Sequence, residues 1–86
     1  LSCRITVSAR AEKDMLRLPL EERAKLANKI DGPAEDARPR GCKKLKGQQE
    51  ELWRIRAGNL RIMYAIDDEV RIVDVRKVGD RRDVYR

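Results

Sequence analysis

The sequence predicts an α+β fold: a small antiparallel sheet of about four strands, with an N-terminal two-helix hairpin packed on one face. Three observations predict it. Residues 3–7 alternate apolar and polar, and residues 9–31 carry apolar side chains at helical spacing. From Leu52 onward alternating runs return, interrupted by Gly58-Asn59 and by Asp68-Glu69. The 86 residues read as one domain, 1–86, with room for one modest core.

Taken in order, Ser2–Val7 sets Cys3, Ile5 and Val7 against Arg4 and Thr6, the pattern of a half-buried strand. Ser8 suits the N-cap of a helix over Ala9–Leu18, whose apolar positions are Ala11, Met15 and Leu18. Pro19 ends that helix or begins the next. The second helix, Leu20–Asp31, places Ala24, Ala27 and Ile30 on one stripe with Leu26 beside it, and Gly32-Pro33 stops it. Ala34–Lys46 reads as a loop made basic by Arg38, Arg40, Lys43, Lys44 and Lys46.

Leu52–Asp67 is the organising element. Gly58-Asn59 suits a two-residue hairpin turn, which fixes the register. Ala57 then pairs with Leu60, Arg56 with Arg61, Ile55 with Ile62, Arg54 with Met63 and Trp53 with Tyr64. Opposed residues share a face. One face therefore holds Trp53, Ile55, Ile62 and Tyr64 and is a core; the other gathers Arg54, Arg56 and Arg61. Like charges opposed across a ladder destabilise it, so an anion fits between them; a solvated basic face is the plainer alternative. Val70–Val78 is the last strand. A two-residue turn at Asp68-Glu69 pairs Tyr64 with Val73 and Ile62 with Val75, putting both valines inside and Lys77 outside. Ile72, Asp74 and Arg76 join the arginine face, with Arg76 opposite Arg61 and Asp74 placed to hold an arginine. Residues 80–86 form a charged tail with Tyr85 as its one aromatic.

Charge is unevenly placed. Residues 1–37 carry seven basic and seven acidic side chains; residues 38–86 carry fourteen basic and eight acidic, so the net +6 lies in the second part. That asymmetry points to a polyanionic partner, nucleic acid or an acidic protein segment. With Trp53, Tyr64 and Tyr85 as the aromatics, a broad base-stacking platform is not expected. There is no His, and Cys3 and Cys42 have no metal-ligand spacing. They read as reduced thiols of a cytoplasmic protein, with a disulfide as the alternative. No HExxH motif, phosphate-cradling glycine loop or pair of catalytic carboxylates is present, so no metal and no cofactor are expected. No apolar run reads as a transmembrane helix or signal peptide.

RNA cleavage without a metal needs charge stabilisation at the phosphoryl oxygens, one group to take a proton and one to return it. Arginine forks match phosphate well, but arginine is a poor proton carrier near neutrality. Tyr85 could exchange a proton if neighbouring cations lower its pKa. The residues therefore describe a strong phosphate clamp with weak acid–base equipment.

At these residues the chain resembles the RelE/ParE superfamily of bacterial toxins, the RelE branch most closely. The resemblance runs through "AEKDMLRLP", "EERAKLANKI", "ARPRGCKKLKG", "LWRIRAGNLRIMYAIDDE" and "VRIVDVRKVGDRRDVY". Leu45-Lys46-Gly47, the hairpin and Val78-Gly79-x-Arg81 are together its most specific text. It implies the toxin of a type II toxin–antitoxin system. The implied activity is that of an mRNA interferase: a metal-independent endoribonuclease that cleaves mRNA in the ribosomal A site, leaves a 2′,3′-cyclic phosphate and inhibits translation. It also implies a cognate antitoxin as partner. The family's basic pair in the first hairpin strand falls on Arg54 and Arg56, and the arginine after the turn falls on Arg61. The arginine after Val-Gly-x falls on Arg81 and the terminal tyrosine on Tyr85. By resemblance Arg61 stabilises the phosphorane-like charge, Arg81 acts as acid or charge neutraliser, and Tyr85 stacks on or orients the nucleotide. Lys43, Lys44, Lys46, Arg76 and Arg82 bind RNA or ribosomal phosphates.

The chain departs from the family where protons move. The best-known members carry lysines where this chain has Arg54 and Arg56; others carry a Glu base where it has Lys43; many carry His or Lys where it has Asp80. Two other readings follow, a ParE-like toxin that poisons DNA gyrase and a catalytically weak RNA- or antitoxin-binding module. Growth arrest with inhibited translation, arrest with a DNA-damage response, and no arrest separate the three.

Overall fold

In the computed structural model, residues 3–47 and 50–80 are described. The opening alternation forms β1 (Arg4–Val7), and Ser8 caps α1 (Ala9–Leu16), its Oγ accepting from the Ala11 N–H at 3.1 Å. Pro19 begins α2 (Leu20–Glu35), where its missing N–H costs nothing. The remaining elements are β2 (Lys43–Lys44), β3 (Trp53–Ala57), β4 (Leu60–Asp67) and β5 (Ile72–Asp80).

The α+β architecture is the expected one, with differences in the sheet. It has five strands in the order β1-β5-β4-β3-β2, because Lys43 and Lys44, expected in a loop, pair with Arg54 and Trp53. It is mixed rather than wholly antiparallel: β1 runs parallel to β5, with Ile5 beside Val73 and Val7 beside Val75. The α1–α2 hairpin between the first strand and the rest allows this, since a parallel pair needs a long crossover. Helix α1 lies against β5 and α2 against β3. The core between helices and sheet holds Ala11, Leu26, Ile55, Ile62, Tyr64, Val73, Val75 and Val78, all buried.

The β3–β4 hairpin has the register expected, residue for residue, from Trp53↔Tyr64 to Ala57↔Leu60. Gly58 takes φ +62° and Asn59 does not share that region, the pattern of a type II′ turn with glycine first. The β4–β5 register differs. Tyr64 pairs with Val75 and Ile66 with Val73, and Arg61 faces Gly79 rather than Arg76. The cause is the turn. Asp67 accepts from the N–H groups of Glu69 and Val70 at 3.0 and 3.2 Å, which curls residues 68–71 into a longer loop closed by Arg71 at φ +54°. The slip is an even number of residues, so Val73 and Val75 stay inside. A bulge beside Met63 and Tyr64 then changes parity, turning Lys77 to the outer face and Val78 to the core.

Helix α2 also departs from expectation. Leu26 is fully buried and Ile30 half-buried, whereas Ala24 and Ala27 are exposed. The inward stripe is Leu26, Ile30 and Pro33, at i, i+4 and i+7. The helix runs past Gly32-Pro33 to Glu35: the proline forfeits one bond in the last turn, but its ring is buried. The first helix is shorter than expected, ending at Leu16, because Arg23 of α2 donates to the carbonyls of Leu16 and Leu18 at 2.9 and 3.0 Å. Cys3 and Cys42 are free thiols.

Helix α1 completes the free edge of β5. Among the described residues that edge has no strand partner beyond Val75; instead Ser8 Oγ donates to the Arg76 carbonyl at 3.0 Å, and the Asp14 carboxylate accepts from the Val78 N–H at 3.1 Å. Both contacts hold the segment that carries Lys77 and Gly79. Ser8→Ala removes the helix cap and the strand contact together. It is expected to lower unfolding free energy by about 1–2 kcal/mol in urea denaturation, and Ser8→Thr to retain most of it; equal midpoints for wild type and Ser8→Ala would show that the cap contributes nothing.

Candidate functional site

The outer face of the sheet, away from the helices, carries two rows of residues. Paired residues share a face, and residues two apart on a strand share it too. One row is Arg56–Arg61–Gly79 across β3, β4 and β5. The adjacent row is Lys43–Arg54–Met63–Lys77 across β2 to β5. The structure thus brings Arg54, Arg56, Arg61 and Lys43 together as expected and adds Lys77, which was not proposed as a site residue. Its signal was the inward Val73, Val75 and Val78, whose spacing is incompatible with strict alternation.

Within this array the side chains differ. Arg56 is exposed and Arg54 half-buried, while Arg61 is buried, at 8% exposure. Arg61 Nη1 donates to the Leu60 carbonyl at 3.3 Å, but among the described residues the buried Nε groups of Arg61 and Arg54 have no hydrogen-bond acceptor. Among the described residues no carboxylate forms an ion pair with Arg54, Arg56 or Arg61. Gly79, opposite Arg61, presents no side chain over it. Buried guanidinium N–H groups without acceptors are costly, so the arrangement favours an anion with several oxygen acceptors.

Arg76 is placed differently. Its guanidinium lies 2.6 Å from Glu50 and 2.6 Å from Asp74. Asp74 holds an arginine, as expected, but that arginine is Arg76, and Thr6 Oγ1 donates to the other Asp74 oxygen at 2.6 Å. Arg76 thereby ties the segment before β3 to the sheet, where Leu45, Leu52, Met63 and Ala65 form a small apolar cluster on the outer face. Lys44 is 3.4 Å from Glu51, and Lys46 is exposed. Arg38 forks onto Asp68 at 2.9 and 3.1 Å and lies 4.8 Å over the Trp53 ring, fastening the α2–β2 connection to the β4–β5 turn. Its hydrogen bonds hold the Asp68 carboxyl below the usual carboxylate range. Arg81, Arg82 and Tyr85 lie outside the described residues.

The fold and this face define a small α+β protein with a basic sheet surface, and the comparisons place it. Residues 5–85 match the family model "ParE toxin of type II toxin-antitoxin system, parDE". The chain is 32% identical over 82 residues to toxin RelE of Mycobacterium tuberculosis, covering 95% of this chain and 84% of that one. Among solved structures it is similar to the RelBE2 toxin–antitoxin complex of M. tuberculosis, with TM-score 0.82, 25% identity and coverage of 94% and 100%. It is also similar to the isolated E. coli RelE toxin, with TM-score 0.77, 27% identity and coverage of 98% and 92%. The chain belongs to the RelE/ParE superfamily of type II toxin–antitoxin toxins.

Proposed function

We propose that this toxin is a ribosome-dependent mRNA endonuclease acting in the bacterial cytoplasm, neutralised by a cognate antitoxin. The observation that carries the reading is the buried Arg61, set between Arg56 and Gly79, whose Nε–H has no acceptor among the described residues. In the reaction the 2′-oxygen bonds to the adjacent phosphorus as its proton leaves, and the 5′-oxygen departs and takes up a proton. Negative charge builds on the phosphoryl oxygens. The Arg61 fork meets that charge, with Arg54 and Arg56 beside it. Proton transfer is left to Arg81, Tyr85 and the ribosome, because the two rows offer guanidiniums and ammoniums, which hold their protons near neutrality, and the Asp74 and Glu50 carboxylates are engaged by Arg76. Lys43 and Lys77 extend the cationic row along which RNA would lie. The antitoxin partner is supported by the similarity to the M. tuberculosis RelBE2 structure, which is a toxin–antitoxin complex.

The test is cleavage of mRNA on programmed bacterial ribosomes beside the same RNA free in solution, with EDTA-supplemented quenching controls. Cleavage confined to the ribosome and leaving a cyclic phosphate is the expected result. No cleavage by folded, antitoxin-free protein, together with gyrase-linked DNA breaks in cells, would replace it with the gyrase reading.

A further inference from the structure

A second basic site lies around the hairpin turn from the arginine rows. A cleft of about 330 Å³ opens between α2 and the end of β3, lined by Lys25, Asn28, Lys29, Arg56, Ala57 and Gly58. It is at the small end of ligand-sized clefts, about 300–1,000 Å³. Lys25, Asn28 and Lys29 stand at i, i+3 and i+4, so one face of α2 presents them together. The lining holds three cations and a carboxamide and no carboxylate. Glu22 reaches Lys25 at 3.8 Å, a contact between an exposed lysine and a half-exposed carboxylate that water and salt weaken. Gly58 leaves the rim open: a Cβ there would meet nothing within 4 Å.

Arg56 belongs to both places. It lines this cleft and pairs with Arg61 on the outer face. A chain of phosphates leaving Arg61 therefore meets Arg56 and then the α2 lysines with no acidic lining between. Among the described residues no aromatic side chain lines the cleft, so that lining offers no surface on which to stack a base. We infer that this cleft is a backbone-phosphate site for the RNA strand that passes over the hairpin turn from the arginine rows. It takes the polynucleotide independently of sequence and rests on the proposed RNA reading only for the identity of the polyanion.

The test uses a fluorescein-labelled, fully 2′-O-methylated single-stranded RNA, which binds without being cleaved, in an anisotropy titration over a salt series. Lys25→Ala/Lys29→Ala is compared with Lys13→Ala/Arg17→Ala, which removes the same charge from exposed positions of α1 and its end. Losing one phosphate contact lowers the slope of log K against log salt by about 0.7 for a single strand. The α2 variant is expected to show at least that reduction and roughly tenfold weaker binding at low salt, with the α1 variant close to wild type. Equal slopes for the two variants, or no RNA binding by the wild type at low salt, would overturn the site. So would intact RNA binding by the α2 variant with lost binding of an acidic peptide. Wild-type binding with the α2 defect but no ribosomal cleavage would sink the nuclease reading and leave this site standing.

Discussion

Arg61→Ala is expected to lower mRNA cleavage on ribosomes by about 10²–10³-fold, the loss typical when one donor to a developing oxyanion is removed. The position explains the size of the effect. Arg61 is buried and its Nε–H has no acceptor among the described residues, so its orientation is set by the fold before any anion arrives. An exposed arginine must first be ordered, and Arg56→Ala is accordingly expected to cost less. Arg61→Lys keeps the charge but replaces a planar fork with a point donor, so it should recover little of the loss. Melting temperature should stay close to wild type in both variants, since replacing a buried cation relieves desolvation while it leaves a cavity. Wild-type cleavage by folded Arg61→Ala would remove Arg61 from the chemistry. By resemblance, Arg81→Ala should behave like Arg61→Ala, and normal cleavage by both would sink the whole assignment.

How much of this site could be read beforehand depends on turn geometry. The β3–β4 register was legible because only two residues, Gly58-Asn59, separate two alternating runs, leaving one way to close the hairpin. That alone put Arg54, Arg56 and Arg61 on one face. The β4–β5 register was not legible. Asp68-Glu69 resembles a two-residue turn, but the capping carboxylate that lengthens the loop is Asp67, which also satisfies the strand pattern. Lys77 is outside as expected, but by way of the bulge beside Met63 and Tyr64, since strict alternation from Val73 and Val75 would turn it inward. In α2 the alanine stripe set the wrong phase, because alanines are tolerated on either face and Pro33 was read as a breaker rather than as a buried ring. The pairing of β1 with β5 is a long-range contact that no local pattern encodes. The β4–β5 slip beside the valines was an even number of residues, which is why Val73 and Val75 stayed inside while the residue opposite Arg61 changed from Arg76 to Gly79.

Tyr64 supplies the largest stability effect expected. Its ring is fully buried at the centre of the core face, and its hydroxyl donates to the Ala37 carbonyl at 3.0 Å, joining the sheet to the connection after α2. Tyr64→Ala should cost about 3–5 kcal/mol, the usual range for emptying a large aromatic site. For a domain of this size each kcal/mol lowers the melting temperature by about 4–8 °C, so the variant should be largely unfolded near physiological temperature. Tyr64→Phe keeps the ring and leaves the Ala37 carbonyl without its donor, at about 0.5–1.5 kcal/mol, and should still cleave. A pH series separates the hydroxyl from the ring. Burial, then the neighbouring Cys42, raise the Tyr64 pKa well above its ordinary value of 10.0. The folded state thus holds this proton more tightly than the unfolded chain does. The associated stability is fully present below about pH 10 and is lost as pH rises above it toward the folded-state pKa. Wild type should therefore lose stability more steeply than Tyr64→Phe above about pH 10, because only in the wild type does unfolding expose a phenol that then ionises. Parallel stability curves in that range would mean that the Tyr64 hydroxyl is accessible to water, and that the junction between the sheet and the α2–β2 connection is looser than the buried ring implies.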